Sequence, residues 1–309
     1  MQVGLIGLGR MGYNLALNMR DKGHQVVAFN RSPEKVRQIE AEGGITGAYT
    51  LEELVQKLAP PRTIWMMIPA GEAVEEMIRR LTPLLSRGDL LIDGGNSFYQ
   101  DTLRRAEQLR PTGIHFMDVG TSGGIEGARY GACTMAGGDD EDFARVEPLL
   151  RDISVAQGYI HAGPVGSGHF VKMVHNGIEY GMMQAMGEGF EVLAKGPFSL
   201  NLKEVARVWN HGSVIRGWLM ELAESAFAKD PRLEAIRGVM HSSGEGLWTA
   251  QTALNLGIPA PIIALSVMMR HRSEQDESFA GKVVAALRNE FGGHAVEKAP
   301  GKEPGPASH

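Results

Sequence analysis

Short apolar runs recur through the first half of the chain, and an amphipathic stretch follows each one. The runs at residues 2–6, 25–29, 63–68 and 90–93 predict strands, with weaker ones at 115–118 and 133–136. Between them, apolar positions return at helical spacing over 11–22, 33–42, 73–85 and 100–109. Strands alternating with helices in this way predict a mostly parallel, doubly wound sheet. The segments IWMMI and DLLID contain continuous apolar runs, which suit strands covered on both faces. After about residue 166 the pattern changes. One long helix is predicted over 168–195, with glycines inside it but no proline before Pro197, and shorter helices over 202–211, 213–226, 246–256, 260–271 and 278–291. No strand pattern separates them.

Composition narrows the class without choosing within it. A chain of 309 residues suits two domains. With 43% hydrophobic and 22% charged residues it has the material for a sizeable core. A net charge of −5 gives no reason to expect nucleic acid or an anionic membrane as partner. The single cysteine, Cys133, rules out an intramolecular disulfide and points to a reducing compartment; on its strand it reads as a small core residue. No Cys/His cluster has zinc spacing. The start MQVGLIGLG lacks the charged region and cleavage site of a signal peptide, and no apolar stretch is long enough to span a bilayer. A cytoplasmic enzyme acting on a small molecule is expected, with no metal.

The first turn carries the first specific signal. Gly7-Leu8-Gly9-Arg10-Met11-Gly12 is a G-x-G-x-x-G between a predicted strand and a predicted helix. Gly7 allows the tight turn, Gly9 lets a pyrophosphate approach the backbone, and Gly12 lets helix and strand pack closely. The helix N-terminus then faces the phosphates. An α/β Rossmann domain over residues 1–165 is therefore expected, joined by the long helix to an all-α domain over 166–296. A tail over 297–309 is too rich in Pro, Gly and Lys to bury a core and reads as disordered. At the end of the second strand, Asn30-Arg31-Ser32 stands where an NAD site usually has a carboxylate. A guanidinium can hold a ribose 2′-phosphate with paired hydrogen bonds, which favours NADP, with NAD as the alternative.

The second signal lies in the long helix. Lys172, Asn176, Glu179 and Tyr180 fall at i, i+4, i+7 and i+8 and share one face, with His175 beside them. Desolvation lowers a lysine's pKa and raises a carboxylate's, bringing both towards acid–base work near neutral pH. A solvated face with an incidental Lys–Glu pair has the same spacing.

The segment GSGHFVKMVHNGIEYG at 166–181 resembles the signature of 6-phosphogluconate dehydrogenase. GLGRMGYNLALNM, NRS, IPAG, IDGGNS and Ser122-Gly123-Gly124 match that family in the same order. The resemblance implies that Lys172 takes the C3 hydroxyl proton as hydride passes to the nicotinamide, that the β-keto acid loses carbon dioxide, and that Glu179 protonates the enediol at C1. It implies that Asn176 orients the hydroxyl, that Asn96 places nicotinamide and substrate, and that Ser122, Gly123 and Gly124 meet the carboxylate. Ile68, Pro69 and Ala70 join the cofactor site, and His175 and Tyr180 the substrate site.

The chain departs from the long family members at Leu247, where they carry a phosphate-binding lysine, which leaves Arg270 as the matching cation. Phe291-Gly292-Gly293-His294 is similar to the short-chain members, and His294 is expected to complete a substrate site in a homodimer or homotetramer. Met182 replaces a usual acidic residue. Two rival readings are a β-hydroxyacid dehydrogenase that does not decarboxylate and a non-catalytic NADP-binding regulator.

Overall fold

The computed structural model describes residues 1–297, so all but the first residue of the 297–309 tail lies outside the described residues. Eight strands form one sheet in the order β3-β2-β1-β4-β5-β6-β7-β8. They are β1 (Gln2–Ile6), β2 (Gln25–Phe29), β3 (Ile45–Ala48), β4 (Thr63–Met66), β5 (Leu90–Asp93), β6 (His115–Ser122), β7 (Ala132–Gly137) and β8 (Ser154–Gly163). All neighbouring pairs are parallel except β6 and β7, which run antiparallel. The helices threaded between them are α1 (Arg10–Asp21), α2 (Pro33–Ala41), α3 (Leu51–Gln56), α4 (Glu72–Leu81), α5 (Tyr99–Leu109), α6 (Gly124–Tyr130) and α7 (Asp140–Ile153).

Alternate residues of each strand feed opposite cores, because successive side chains leave opposite faces of the sheet. Val3, Leu5, Ala28, Trp65, Leu90 and Ile92 pack with Leu15, Met19, Val36 and Leu149, so α1, α2 and α7 cover one face. Ile6, Val27, Phe29, Ile64, Met66 and Leu91 pack with Leu54, Val74, Ile78 and Leu109, so α3, α4 and α5 cover the other. This double coverage explains why β4 and β5 are buried at all four positions.

The strand order reverses between β1 and β4, and loops leaving the carboxyl ends of strands at such a point form the ligand crevice of open α/β sheets. The backbone ladder continues past the strand ends there, with Gly7 N–H donating to Phe29 O, Met67 N–H to Ile6 O and Gly94 N–H to Met66 O at 2.7–2.9 Å.

The chain then enters α8 (Ser167–Lys195), a 29-residue helix, followed by α9 (Leu202–Asn210), α10 (Trp218–Lys229), α11 (Glu245–Asn255), α12 (Pro261–Ser273) and α13 (Phe279–Gly292). Two compact units result. The first comprises Met1–Gly189 and Ser243–Ala264; the second comprises Phe190–Ser242 and the described chain from Leu265 onward. Within the second unit α9 packs on α10, and Phe190 meets Trp209 and Phe227 with ring centroids 5.6 and 4.9 Å apart. Among the described residues no helix is long and apolar enough to cross a membrane.

The structure departs from the sequence expectation at two places in the fold. The helix expected over 213–226 occupies Trp218–Lys229, because Gly217 at its N-cap has φ +158° and the preceding residues form turns. Cys133 is exposed, not a core residue: alternation along β7 buries Ala132 and Thr134 and turns the thiol outward.

Candidate active site

The glycines of the first turn divide into two kinds. A Cβ on Gly7 would lie 2.3 Å from Met67 O, and one on Gly12 would lie 1.9 Å from Gly7 O. Both are therefore required for the fold itself, Gly7 also by its φ of +101°. A Cβ on Gly9 would meet nothing within 4 Å. The space over Gly9 is open, at the N-cap of α1, where no side chain caps the free N–H groups. That combination fits a pyrophosphate on the backbone. Asn30 Oδ1 accepts from Leu8 N–H at 2.9 Å and so ties the end of β2 to this turn. Next to it Arg31 and Ser32 are exposed, and the Arg31 guanidinium has no hydrogen bond or ion pair among the described residues. Arg10 is exposed and Met11 half-buried on the first turn of α1.

The loops after β4 and β5 present the next candidates. Ile68 is half-buried and Pro69 and Ala70 are exposed. Asn96 is exposed while its neighbours Gly94, Gly95 and Ser97 are buried, so the turn after β5 leaves one amide side chain open to solvent.

Helix α8 begins directly on β6 and β7. A Cβ on Gly120 would lie 2.3 Å from Lys172 Cβ, and one on Gly168 would lie 2.4 Å from Met135 O. Glycine at both positions brings the helix axis close to the sheet and sets Lys172 near the end of β6. The buried Asp118 carboxylate fixes the start of the helix, accepting from Gly166 N–H at 2.5 Å and His169 N–H at 2.6 Å. Burial pushes this carboxyl up from its ordinary range.

On α8 the expected stripe exists in part. Lys172 is 6% exposed, and its ammonium donates to Asn176 Oδ1. His175 Nδ1 lies 3.0 Å from the same oxygen and Nε2 lies 3.3 Å from Ser122 Oγ. An amide oxygen only accepts, so Nδ1 carries the proton and Nε2 accepts from the serine hydroxyl. Glu179 Oε2 is 3.8 Å from His175 Nδ1. Desolvation lowers the Lys172 pKa, and the nearby charges of Glu179 and Glu245 oppose it more weakly. The expected burial of both acid–base groups holds for the amine alone, since the Glu179 side chain keeps 38% of its exposure. At the end of β6, Gly123 and Gly124 have φ of +110° and +59°, and the space over Gly124 is open.

Tyr180 is buried, its hydroxyl accepts from Ser243 N–H at 3.3 Å, and the Gly246 Cα lies against its ring. Ser243 Oγ donates to the buried carboxylate of Glu245 at 2.5 Å. Glu245 and Ser243 escaped the sequence reading although they immediately precede the Gly246–Thr249 segment. Their signal was weak: a carboxylate at the first position of a helix is ordinarily solvated. Arg270 and His294 belong to the second unit. Arg270 Nη1 donates to His241 O at 2.9 Å, and His294, just past α13, packs edge-on to Phe291. Leu247 is half-buried on α11, and Met182 is 52% exposed with nothing in the structure to explain it.

A Rossmann sheet with an open glycine turn, and beside it a buried lysine on a long helix, define a nucleotide-linked dehydrogenase of two-unit architecture. The chain matches the NAD binding domain of 6-phosphogluconate dehydrogenase over residues 2–163 and the C-terminal domain of the same enzyme over 168–291. It belongs to the 6-phosphogluconate dehydrogenase family.

It is 56% identical over 298 residues to a Bacillus subtilis protein, YqeC, whose name assigns it to this enzyme provisionally; the match covers 96% of this chain and 100% of that one. It is 42% identical to the NAD(+)-dependent, decarboxylating 6-phosphogluconate dehydrogenase of Haloferax volcanii, over 96% of this chain and 99% of that one. The NADP(+)-dependent, decarboxylating enzyme of Bacillus subtilis is 43% identical over 89% of this chain, which spans 62% of that longer protein. Among solved structures, Plasmodium falciparum 6-phosphogluconate dehydrogenase, described without ligand, with its cofactor NADP+ and with its substrate 6-phosphogluconate, superposes with a TM-score of 0.83 at 31% identity. That match covers 98% of this chain and 67% of that one. A Mycobacterium tuberculosis 3-hydroxyisobutyrate dehydrogenase, 20% identical with a TM-score of 0.72 over 93% of this chain and 99% of that one, shares the fold.

Proposed function

We propose that the chain oxidises 6-phosphogluconate and decarboxylates it to ribulose 5-phosphate and carbon dioxide, with NADP or NAD as oxidant. The observation that carries this reading is the Lys172 amine, buried and lowered in pKa by desolvation, in a cluster with Asn176 and His175. Names of relatives that include decarboxylation support it, as does the NADP+ complex of the Plasmodium relative.

When bound, the nicotinamide accepts the hydride released from C3. Lys172, in its neutral form, takes the C3 hydroxyl proton. Asn176 Oδ1 is occupied by Lys172 and His175, which leaves its amide N–H groups to orient that hydroxyl. Ser122, Gly123 and Gly124 receive the carboxylate through backbone donors and the Ser122 hydroxyl, whose single proton turns from His175 Nε2 to the substrate. As carbon dioxide leaves, the protonated amine faces the developing enolate oxygen, a stabilisation that grows along the reaction coordinate. Glu179, half-exposed and within reach of solvent for reprotonation, delivers the proton to C1. The Asn96 amide and the 68–70 backbone would hold the nicotinamide end, the Gly7–Gly12 turn would hold the pyrophosphate, and Arg31 and Ser32 would recognise a 2′-phosphate. For the substrate phosphate the family resemblance offers Arg270, so Arg270→Ala is expected to raise KM for 6-phosphogluconate about tenfold and to leave KM for NADP unchanged.

The test is a spectrophotometric assay of 6-phosphogluconate and gluconate with each nicotinamide, with evolved carbon dioxide measured in parallel. One carbon dioxide per reduced nicotinamide is expected with 6-phosphogluconate. Reduction without gas would assign the chain to non-decarboxylating β-hydroxyacid chemistry, and no reduction at all would remove the proposal.

A further inference from the structure

Arg105 is 1% exposed, yet neither the cofactor turn nor the α8 cluster uses it. A buried guanidinium is costly unless its donors are matched, and here each nitrogen is matched to a different piece of chain. From α5, Nε donates to Glu75 Oε1 on α4 at 2.9 Å. Nη2 donates to Gly71 O at 3.2 Å. Nη1 donates to Ser97 Oγ at 3.1 Å and approaches Asp93 Oδ2 at 3.4 Å. Ser97 Oγ in turn donates to Asp93 Oδ2 at 2.6 Å, and Asp93 Oδ1 accepts from Gly95 N–H at 3.1 Å.

One side chain thus joins two loops that leave adjacent strands. The first follows β4 and contains Ile68, Pro69 and Ala70; the second follows β5 and contains Asn96. They already touch: a Cβ on Gly95 would lie 2.7 Å from Ile68 O. Contact alone sets a minimum separation. The planar fork of the guanidinium adds directional bonds to Gly71 O on one side and Ser97 on the other, which sets orientation as well. Asn96, flanked by anchored residues, is left with its own side chain free to face a ligand.

We propose that Arg105 is a positioning residue that holds the 68–71 and 94–97 turns in register and so aims Asn96 at the nicotinamide half of the bound dinucleotide. This rests on the dinucleotide reading of the crevice proposed above. The adenine half is served by different chain, the Gly7–Gly12 turn and Asn30–Ser32, so the two halves of one cofactor separate a local role from general loss of structure.

The experiment uses the full-length protein with Arg105→Lys and Ser97→Ala. It measures kcat and KM for NADP, and binding of adenosine 2′,5′-bisphosphate, which carries only the adenine end, by calorimetry. Lysine keeps the charge but cannot reach three groups; Ser97→Ala deletes a single hydroxyl and serves if the arginine variant folds poorly. For Arg105→Lys, kcat is expected to fall about 100-fold, the scale of a misplaced reacting group. Ser97→Ala is expected to lose about tenfold, in the same direction. Adenosine 2′,5′-bisphosphate affinity should stay within about twofold in both. Unchanged kcat in both variants, or parallel weakening of the adenine fragment, would overturn the proposal. Failure of the wild-type protein to bind either that fragment or adenosine 5′-monophosphate, the adenine end of NAD, would instead sink the dinucleotide reading, and this inference with it.

Discussion

Lys172 is where burial becomes chemistry. A neutral amine is needed to accept a proton, so kcat/KM should fall as pH drops through the Lys172 pKa. Desolvation lowers that pKa, and the active range therefore extends below the ordinary range of lysine. The carboxylates of Glu179 and Glu245 pull the other way. Glu245→Gln is accordingly expected to move the acidic limb of the kcat/KM profile to still lower pH, whereas an unmoved limb would separate Glu245 from the amine. The same shift governs stability. Between the folded and unfolded pKa values only the unfolded chain holds the proton, so stability rises with pH across that window, and below it the buried ammonium carries its full cost. Lys172→Met should abolish turnover and raise the melting temperature by roughly 2–4 °C at neutral pH. The gain should shrink above the ordinary lysine pKa, as scanning calorimetry at two pH values would show. Arg31, exposed and unpaired among the described residues, belongs to a different test: Arg31→Ala should weaken NADP at least tenfold more than NAD, and equal losses would make it a bystander.

At the level of elements, α8 is held in place by partners that the periodic pattern does not contain. Thr249 Oγ1 on α11 lies 2.8 Å from the carbonyl oxygens of Met173 and Glu245, and its side chain fills the space left by Gly177. Thr249→Val keeps the shape and removes the hydroxyl, so it should cost about 1 kcal/mol in urea denaturation. Most elements of the first unit were readable because their apolar periods are clean. The exceptions have physical causes. β3 is four residues, ITGA, and exists through its register with β2. β8 has no fully buried residue, has Gln157 at φ +62°, and carries no clear alternation. In α7 Pro148 interrupts the helical pattern, while Val146, Leu149, Leu150 and Ile153 still reach the core.

The whole molecule leaves apolar surface uncovered in its second unit. α13 has no buried residue, and Phe279, Val284, Leu287 and Phe291 are 81%, 56%, 57% and 76% exposed. A helix of that composition is stable in water only when something covers it. We expect a second copy to do so: light scattering should give at least twice the 33.5 kDa chain mass, and Phe279→Asp with Leu287→Asp should return it to the monomer.

What the chain determines locally, it announces locally. The Gly7–Gly12 turn, the strand–helix alternation and the Lys172–Asn176 spacing each follow from sterics and helical period within a few residues, so the α/β class and the amine at the centre of the candidate site were legible. Burial and partnership are not local quantities. That β6 and β7 run antiparallel, that Cys133 faces outward, that Glu179 stays half-exposed while Glu245 is buried, and that Arg105 joins two loops were decided by segments distant in sequence. Desolvation and hydrogen-bond satisfaction depend on what arrives from elsewhere in the fold, and only the tertiary structure sets that.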